Sequence, residues 1–164
     1  MEIEIAAFLN KVVAGRLSYA GKLQVNTMLT CVTEIESIGD CCFNLARTLV
    51  RKQESQIQFN EEIISNIDHI MKLDAEAIRN MIVVLSSKEE INSDIINSYN
   101  KEREINNYRN TLRSANISNI NNQHYEYKAG IFYMDVIAES ERLGDYVILS
   151  LIHISEPTRH LRIS

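Results

Sequence analysis

Proline is nearly absent: the chain contains one, Pro157, and only five glycines and no tryptophan. With so few helix breakers, long uninterrupted helices are permitted, and no segment alternates apolar and polar residues with the period of two that a half-buried strand needs. Cysteine is scarce as well. Cys31, Cys41 and Cys42 form neither a disulfide framework nor a C-x-x-C metal pattern, so a reducing compartment is expected, with the thiols packed as small apolar groups. No stretch approaches the roughly 18 to 20 consecutive apolar residues of a spanning helix, MIVVL at Met81–Leu85 being the best available. The N-terminus lacks the basic start and apolar block of a secretory signal. No basic run or arginine stripe is present, and the formal charge of −5 argues against nucleic acid as a partner and in favour of cations.

What is present is a globular composition. At 164 residues, 45% apolar and 24% charged, the chain is one domain by length and large enough to bury a core. One segment stands apart. LSLIHISEPTR, Leu149–Arg159, resembles the translation of a transposase adapter used to build sequencing libraries, so residues 149–164 are expected to be read-through and 1–148 the native part. Setting aside Arg159, Arg162 and Glu156 moves the charge from −5 to −6, and the acidic character stands.

Apolar residues recur at helical spacing, as in Ile63, Ile67, Ile70, Met71, Ile78, Met81, Ile82 and Leu85. Five helices are expected, at about 2–13, 17–52, 58–86, 88–113 and 121–148, forming an all-α antiparallel bundle with short or asparagine-rich connections. An internal repeat organises them. EIESIGDCCF, Glu34–Phe43, and ESERLGDYVI, Glu139–Ile148, both carry E-x-x-x-D with glycine before the aspartate, pairing Glu36 and Asp40 with Glu141 and Asp145. MEIEIAAFLNKVV likewise matches KEREINNYRNTLR, pairing Glu2, Glu4 and Ile5 with Glu102, Glu104 and Ile105. Two three-helix units follow, repeat 1 at about 1–54 lacking its opening helix and repeat 2 at about 57–148. The uncovered apolar surface of the first should promote self-association.

Two carboxylates one helical turn apart repel by a few tenths of a kcal/mol when exposed, which solvent tolerates; at a core edge they need pairing, protonation or a cation. A glycine at one place in both motifs costs each helix roughly 0.5 to 1 kcal/mol and suggests close approach of another backbone. Three readings compete. A solvated face with salt bridges to Arg47 and Arg142 is one. A hard-cation site for magnesium, manganese, calcium or oxidised iron is the second. A di-iron enzyme is the third, and it lacks the Glu-x-x-His that this class requires. His69 reads as a surface histidine and His124 as a loop residue. No nucleophile triad or phosphate loop is present, so no enzyme activity is expected.

IESIGDCCFNLAR and SERLGDYVI resemble the twin E-x-x-x-D signatures of PhoU-like helical domains, and the resemblance runs from Glu2 to Ile148. More narrowly, EIESIGDCCFNLARTLVRK and YKAGIFYMDVIAESERLGDYVI resemble the soluble C-terminal region of bacterial sodium/phosphate cotransporters. The resemblance implies two three-helix repeats and a regulatory domain that adjusts phosphate uptake on the cytoplasmic side of the inner membrane, with the membrane part of the transporter in the same full-length chain as its partner. It also implies metal-facing acids at Glu36, Asp40, Glu141 and Asp145, with Glu34, Glu139, Glu4 and Glu104 as weaker candidates, holding iron, manganese or magnesium. A free-standing PhoU-like regulator of phosphate transport and signalling, or a metal-free helical interaction module, are the alternatives. A homo-oligomer is compatible with each.

Overall fold

The structure is a computed structural model; it describes the backbone of residues 2–86 and 92–160 and the side chains of 2–86 and 96–153. Five helices make up the described residues, with no strand among them: α1 (Glu2–Val13), α2 (Tyr19–Glu54), α3 (Glu61–Ser86), α4 (Asn92–Asn121) and α5 (Tyr127–His160). The expected all-α bundle is therefore found. The expected start of the fourth helix, at 88–91, and the tail residues 161–164 lie outside the described residues.

Local chemistry explains most boundaries. Ser18 caps α2 by accepting from the Gly21 N–H at 3.1 Å, and Asn60 caps α3 by accepting from the Ile63 N–H at 2.9 Å. α2 and α4 each end on a left-handed glutamine, Gln56 at φ 56° and Gln123 at φ 58°, followed by a residue whose N–H returns to a carbonyl five positions earlier. The largest departure from expectation is SANISNIN, read from composition as a connection but folded as the last two turns of α4. Asparagine is a weak helix former rather than a breaker, and here Leu112 and Asn116 are buried while the Tyr125 hydroxyl donates to Asn116 Oδ1 at 2.8 Å. Packing outweighs propensity.

α5 is the hub. It packs against α2, α3 and α4, α3 also packs against α4, and α1 packs against α2. Its buried residues, among them Ala129, Tyr133, Val136, Ile137, Ser140, Leu143 and Val147, fall on one broad face, while Ile131, Arg142, Asp145 and Leu149 are exposed on the opposite side. One core joins Ile38 and Cys41 of α2, Ile63, Ile70, Leu73, Ala77 and Met81 of α3, Ile105 and Leu112 of α4, and Tyr133, Ile137, Leu143, Val147 and Leu151 of α5. α5 continues without a break past Ile148, placing Ser150 and Leu151 in the interior. Apolar residues at the right spacing suffice for that continuation, a property that an appended peptide shares with a native one.

The pairs Asn44 with Glu139 and Arg51 with Asp135 run in opposite directions along α2 and α5, so the two helices are antiparallel. Cys31 with Ser150 and Glu34 with His153 extend the same register. Gly39 and Asp40 therefore fall opposite Gly144 and Asp145, and the two E-x-x-x-D motifs sit at the middle of the contact. α4 is antiparallel to α5 as well, with Ile105 lying over Gly144 and Arg109 against Glu141.

The first half does not reproduce that second contact. Gly144 is 17 residues into α5 and Ile105 is 16 before the end of α4, so a tight hairpin brings them together. Gly39 is 20 residues into α2 but Ile5 only 8 before the end of α1, so Ile5 falls short of it by 12 residues, about 18 Å at 1.5 Å per residue. Nothing lies within 4 Å of the position a Gly39 Cβ would take, whereas a Gly144 Cβ would meet Ile105 Cδ1 at 3.2 Å. The close approach expected at both glycines exists at one of them, and it is made by a side chain. Gly39→Ala should therefore stabilise the monomer by about 0.5 to 1 kcal/mol through helix propensity, and Gly144→Ala should gain less or lose. Urea unfolding of both variants at low protein concentration checks this, and equal gains would refute the asymmetry.

Candidate functional site on the α4–α5 face

Three carboxylates line the face where α4 crosses the second motif, near enough for Asp145 and Glu141 to act electrostatically on Glu102. Glu141 and Asp145 are one turn apart on α5. On α4, the spacing of buried Ile105 and Leu112 turns Glu102, Asn106 and Arg109 toward the same face. Arg109 forms an ion pair with Glu141, and the Asn106 amide donates to Glu102. The Glu102 carboxyl is pushed up first by burial and then by the charges of Asp145 and Glu141. Asp145 lies at the exposed rim, yet its carboxyl is also raised by partial desolvation, with the Arg109 guanidinium pulling the other way. The three acids thus share one electrostatic environment that Arg109 partly neutralises.

The other sequence candidates are placed differently. Glu36 and Asp40 are exposed on α2, and α1, which carries Glu2 and Glu4, does not reach them. Glu104 points away from the face and is paired with Lys101, which also pairs with Glu76 of α3. Of the two acids in the α4 E-x-E motif, the inward one is Glu102. Residues i and i+2 on a helix stand about 200° apart, so only one of such a pair can face a given neighbour. Glu102 precedes the buried Ile105 by three positions, and that phase was the available signal.

Glu34 and Glu139, two residues ahead of each motif, face across the α2–α5 contact instead. Glu34 is buried with Oε1 at 2.5 Å from His153 Nδ1, while its Oε2 has no hydrogen-bond partner. Its charge adds to burial in raising the neighbouring Cys31 thiol to about 11. Glu139 accepts from Arg142 at 2.8 Å and from Asn44 at 3.4 Å. Among the described residues, no three His, Cys, Asp or Glu side chains converge closely enough to enclose a metal ion. In donor chemistry Glu102, Glu141 and Asp145 suit a hard cation, which would have to displace Arg109 from Glu141. The exposed pair Glu36 and Asp40 does not fit a metal site.

Sequence reading missed a fourth acid. Asp74 of α3 is 4% exposed beside Ser140 of α5, and neither carboxylate oxygen nor the Ser140 hydroxyl makes a hydrogen bond of regular geometry. It sits in the apolar rhythm of α3, between Leu73 and Ala77, where only the structure reveals that it faces the interior.

No protein-family model, curated relative or solved structure matches the chain.

Burial raises the Asp74 carboxyl to about 7, with Ser140 pulling the other way. Since the value in an unfolded chain is about 3.9, folding takes up a proton, so this stabilising contribution is complete below about pH 4 and is lost as pH rises through about 7. Asp74→Asn should match the parent at pH 4 and be more stable by about 2 to 4 kcal/mol at pH 8. Urea unfolding of both proteins across that range measures it, and parallel pH profiles would overturn the assignment.

Proposed function

We propose that the chain is a regulatory helical domain of the PhoU kind that adjusts phosphate uptake, working beside the membrane part of a sodium/phosphate cotransporter within a longer chain. The observation that carries this reading is the position of the two E-x-x-x-D motifs. A regulatory module has to couple a binding event to the packing of its helices, and these motifs flank the central α2–α5 contact while α4 crosses one of them. No helix among the described residues is long and apolar enough to cross a membrane, so transport itself would belong to another part of such a chain.

In this reading the second motif is the cation-responsive one. Glu102, Glu141 and Asp145 hold a hard divalent or trivalent cation, and Asn106 offers an amide oxygen. The cation offsets the desolvation that raises the Glu102 and Asp145 carboxyls and the neighbouring charges that add to it at Glu102, and it frees Arg109. The Arg109–Glu141 pair also supports a second reading, a metal-free helical interaction module in which the guanidinium is the permanent counter-charge.

Adding manganese, magnesium or ferric iron to chelator-treated protein should raise the melting temperature, since a ligand binding only the folded state stabilises it by mass action. Glu141→Gln with Asp145→Asn keeps shape and removes charge, so it should abolish that increment while circular dichroism stays helical. A parent protein whose melting temperature ignores all three cations supports the metal-free module.

A further inference from the structure

α2 carries two apolar faces. The first, through Cys31, Ile38, Cys41 and Leu45, is buried toward the interior. The second lies about a third of a turn away and combines Val32, Gly39, Phe43, Ala46 and Val50, with Ile35 and Leu49 beside it. Phe43 is 64% exposed and Val50 52%, Gly39 and Ala46 are exposed, and Gly39 has open space above it. Val32, Gly39 and Ala46 repeat every seven residues, as do Phe43 and Val50, which is the spacing of a coiled-coil seam. Its outer flank bears Asp40 and, seven residues on, Arg47, both exposed.

We propose that this face is a two-fold interface on which a second copy of the chain lays its own α2 antiparallel to the first. Charge and size point to the same register. In an antiparallel pair each flank meets the same flank of the mate, so Asp40 opposes Arg47 of the other copy, and the two-fold axis makes that contact twice. The same register sets Phe43 opposite Ala46 and Val50 opposite Gly39, large residues against small ones, which allows close helix approach. Parallel association would place the charged flank against the apolar flank holding Ile35 and Leu49 and leave Asp40 unpaired. Within one copy nothing uses the space over Gly39, although glycine there weakens the helix; in the dimer Val50 of the other copy fills it. The interface rests on the fold and is independent of the proposed function, because it engages the first motif and leaves the α4–α5 acids free.

Sedimentation equilibrium on the full 164-residue chain tests the proposal. A reversible dimer is expected. Asp40→Arg and Arg47→Asp, each at an exposed position, should each raise the dimer Kd about tenfold or more, by setting like charges together. The double exchange restores both pairs and should return the Kd to within about threefold of the parent. Circular dichroism confirms that all variants are folded. A monomer at every accessible concentration would overturn the proposal and leave the face to another segment of a longer chain or to a different partner. A dimer indifferent to the single changes, or one that the double exchange fails to rescue, overturns it equally.

Discussion

The antiparallel contact of α2 with α5 is the interaction on which the remaining arrangement depends. It is the most extensive helix–helix contact in the molecule, and it is the link between the α1–α2 hairpin and the mutually packed α3, α4 and α5. Without it, Ile38 and Cys41 would leave the common core and the hairpin would keep only its own short contact. Two of its polar crossings lie on its margins, Asn44 with Glu139 and Arg51 with Asp135 being partly exposed, while Ile38, Cys41, Leu143 and Val147 supply apolar burial. Non-directional burial gives the affinity, and the few polar pairs set the register.

That register gives the two motifs one central location and two different surroundings. On α5, Gly144 accommodates Ile105, so α4 comes close and its polar side chains reach Glu141 and Asp145. On α2, Gly39 faces open space, and the carboxylates of Glu36 and Asp40 remain solvated. The cause is helix length. α1 has 12 residues and α4 has 30, joined to their partners by equally short connections, so a helix of α1's length ends before it reaches the motif. An equal sequence pattern therefore does not produce an equal electrostatic environment.

Much of the fold was legible because helix periodicity and the lack of breakers act locally. Five helices and the all-α class follow from them, and α1 has the expected bounds. The pairing of helices was less accessible, since the central role of α5 depends on one broad face that serves three neighbours, and a residue such as Ser140 gives no apolar signal of being interior. The end of α4 was misplaced for a related reason: asparagines that suggest a connection become helical once Asn116 finds a partner in Tyr125. At the site, both motif acids of α5 were identifiable from the repeat. Glu102 and Arg109 required the phase of α4 against α5, and Asp74 required knowing which side of α3 is enclosed.

Polar groups in this bundle differ chiefly in what was available to compensate them. Glu141 has a guanidinium, Glu102 has an amide and two neighbouring negative charges, and Asp74 has a hydroxyl beside it in an apolar surround. Glu141 has a direct ion pair, Glu102 sets the Asn106 amide and the Arg103 charge against its desolvation, and Asp74 has no opposite charge, so the order of compensation runs from Glu141 through Glu102 to Asp74. The poorly compensated acids belong to α3 and α4, the helices that pack on the segment of α5 bearing Ser140, Glu141 and Asp145. A change of charge at any one of them acts on that same segment. Since α5 also carries the contact with α2, a proton or cation arriving at these acids acts directly on the helix that joins the two parts of the molecule.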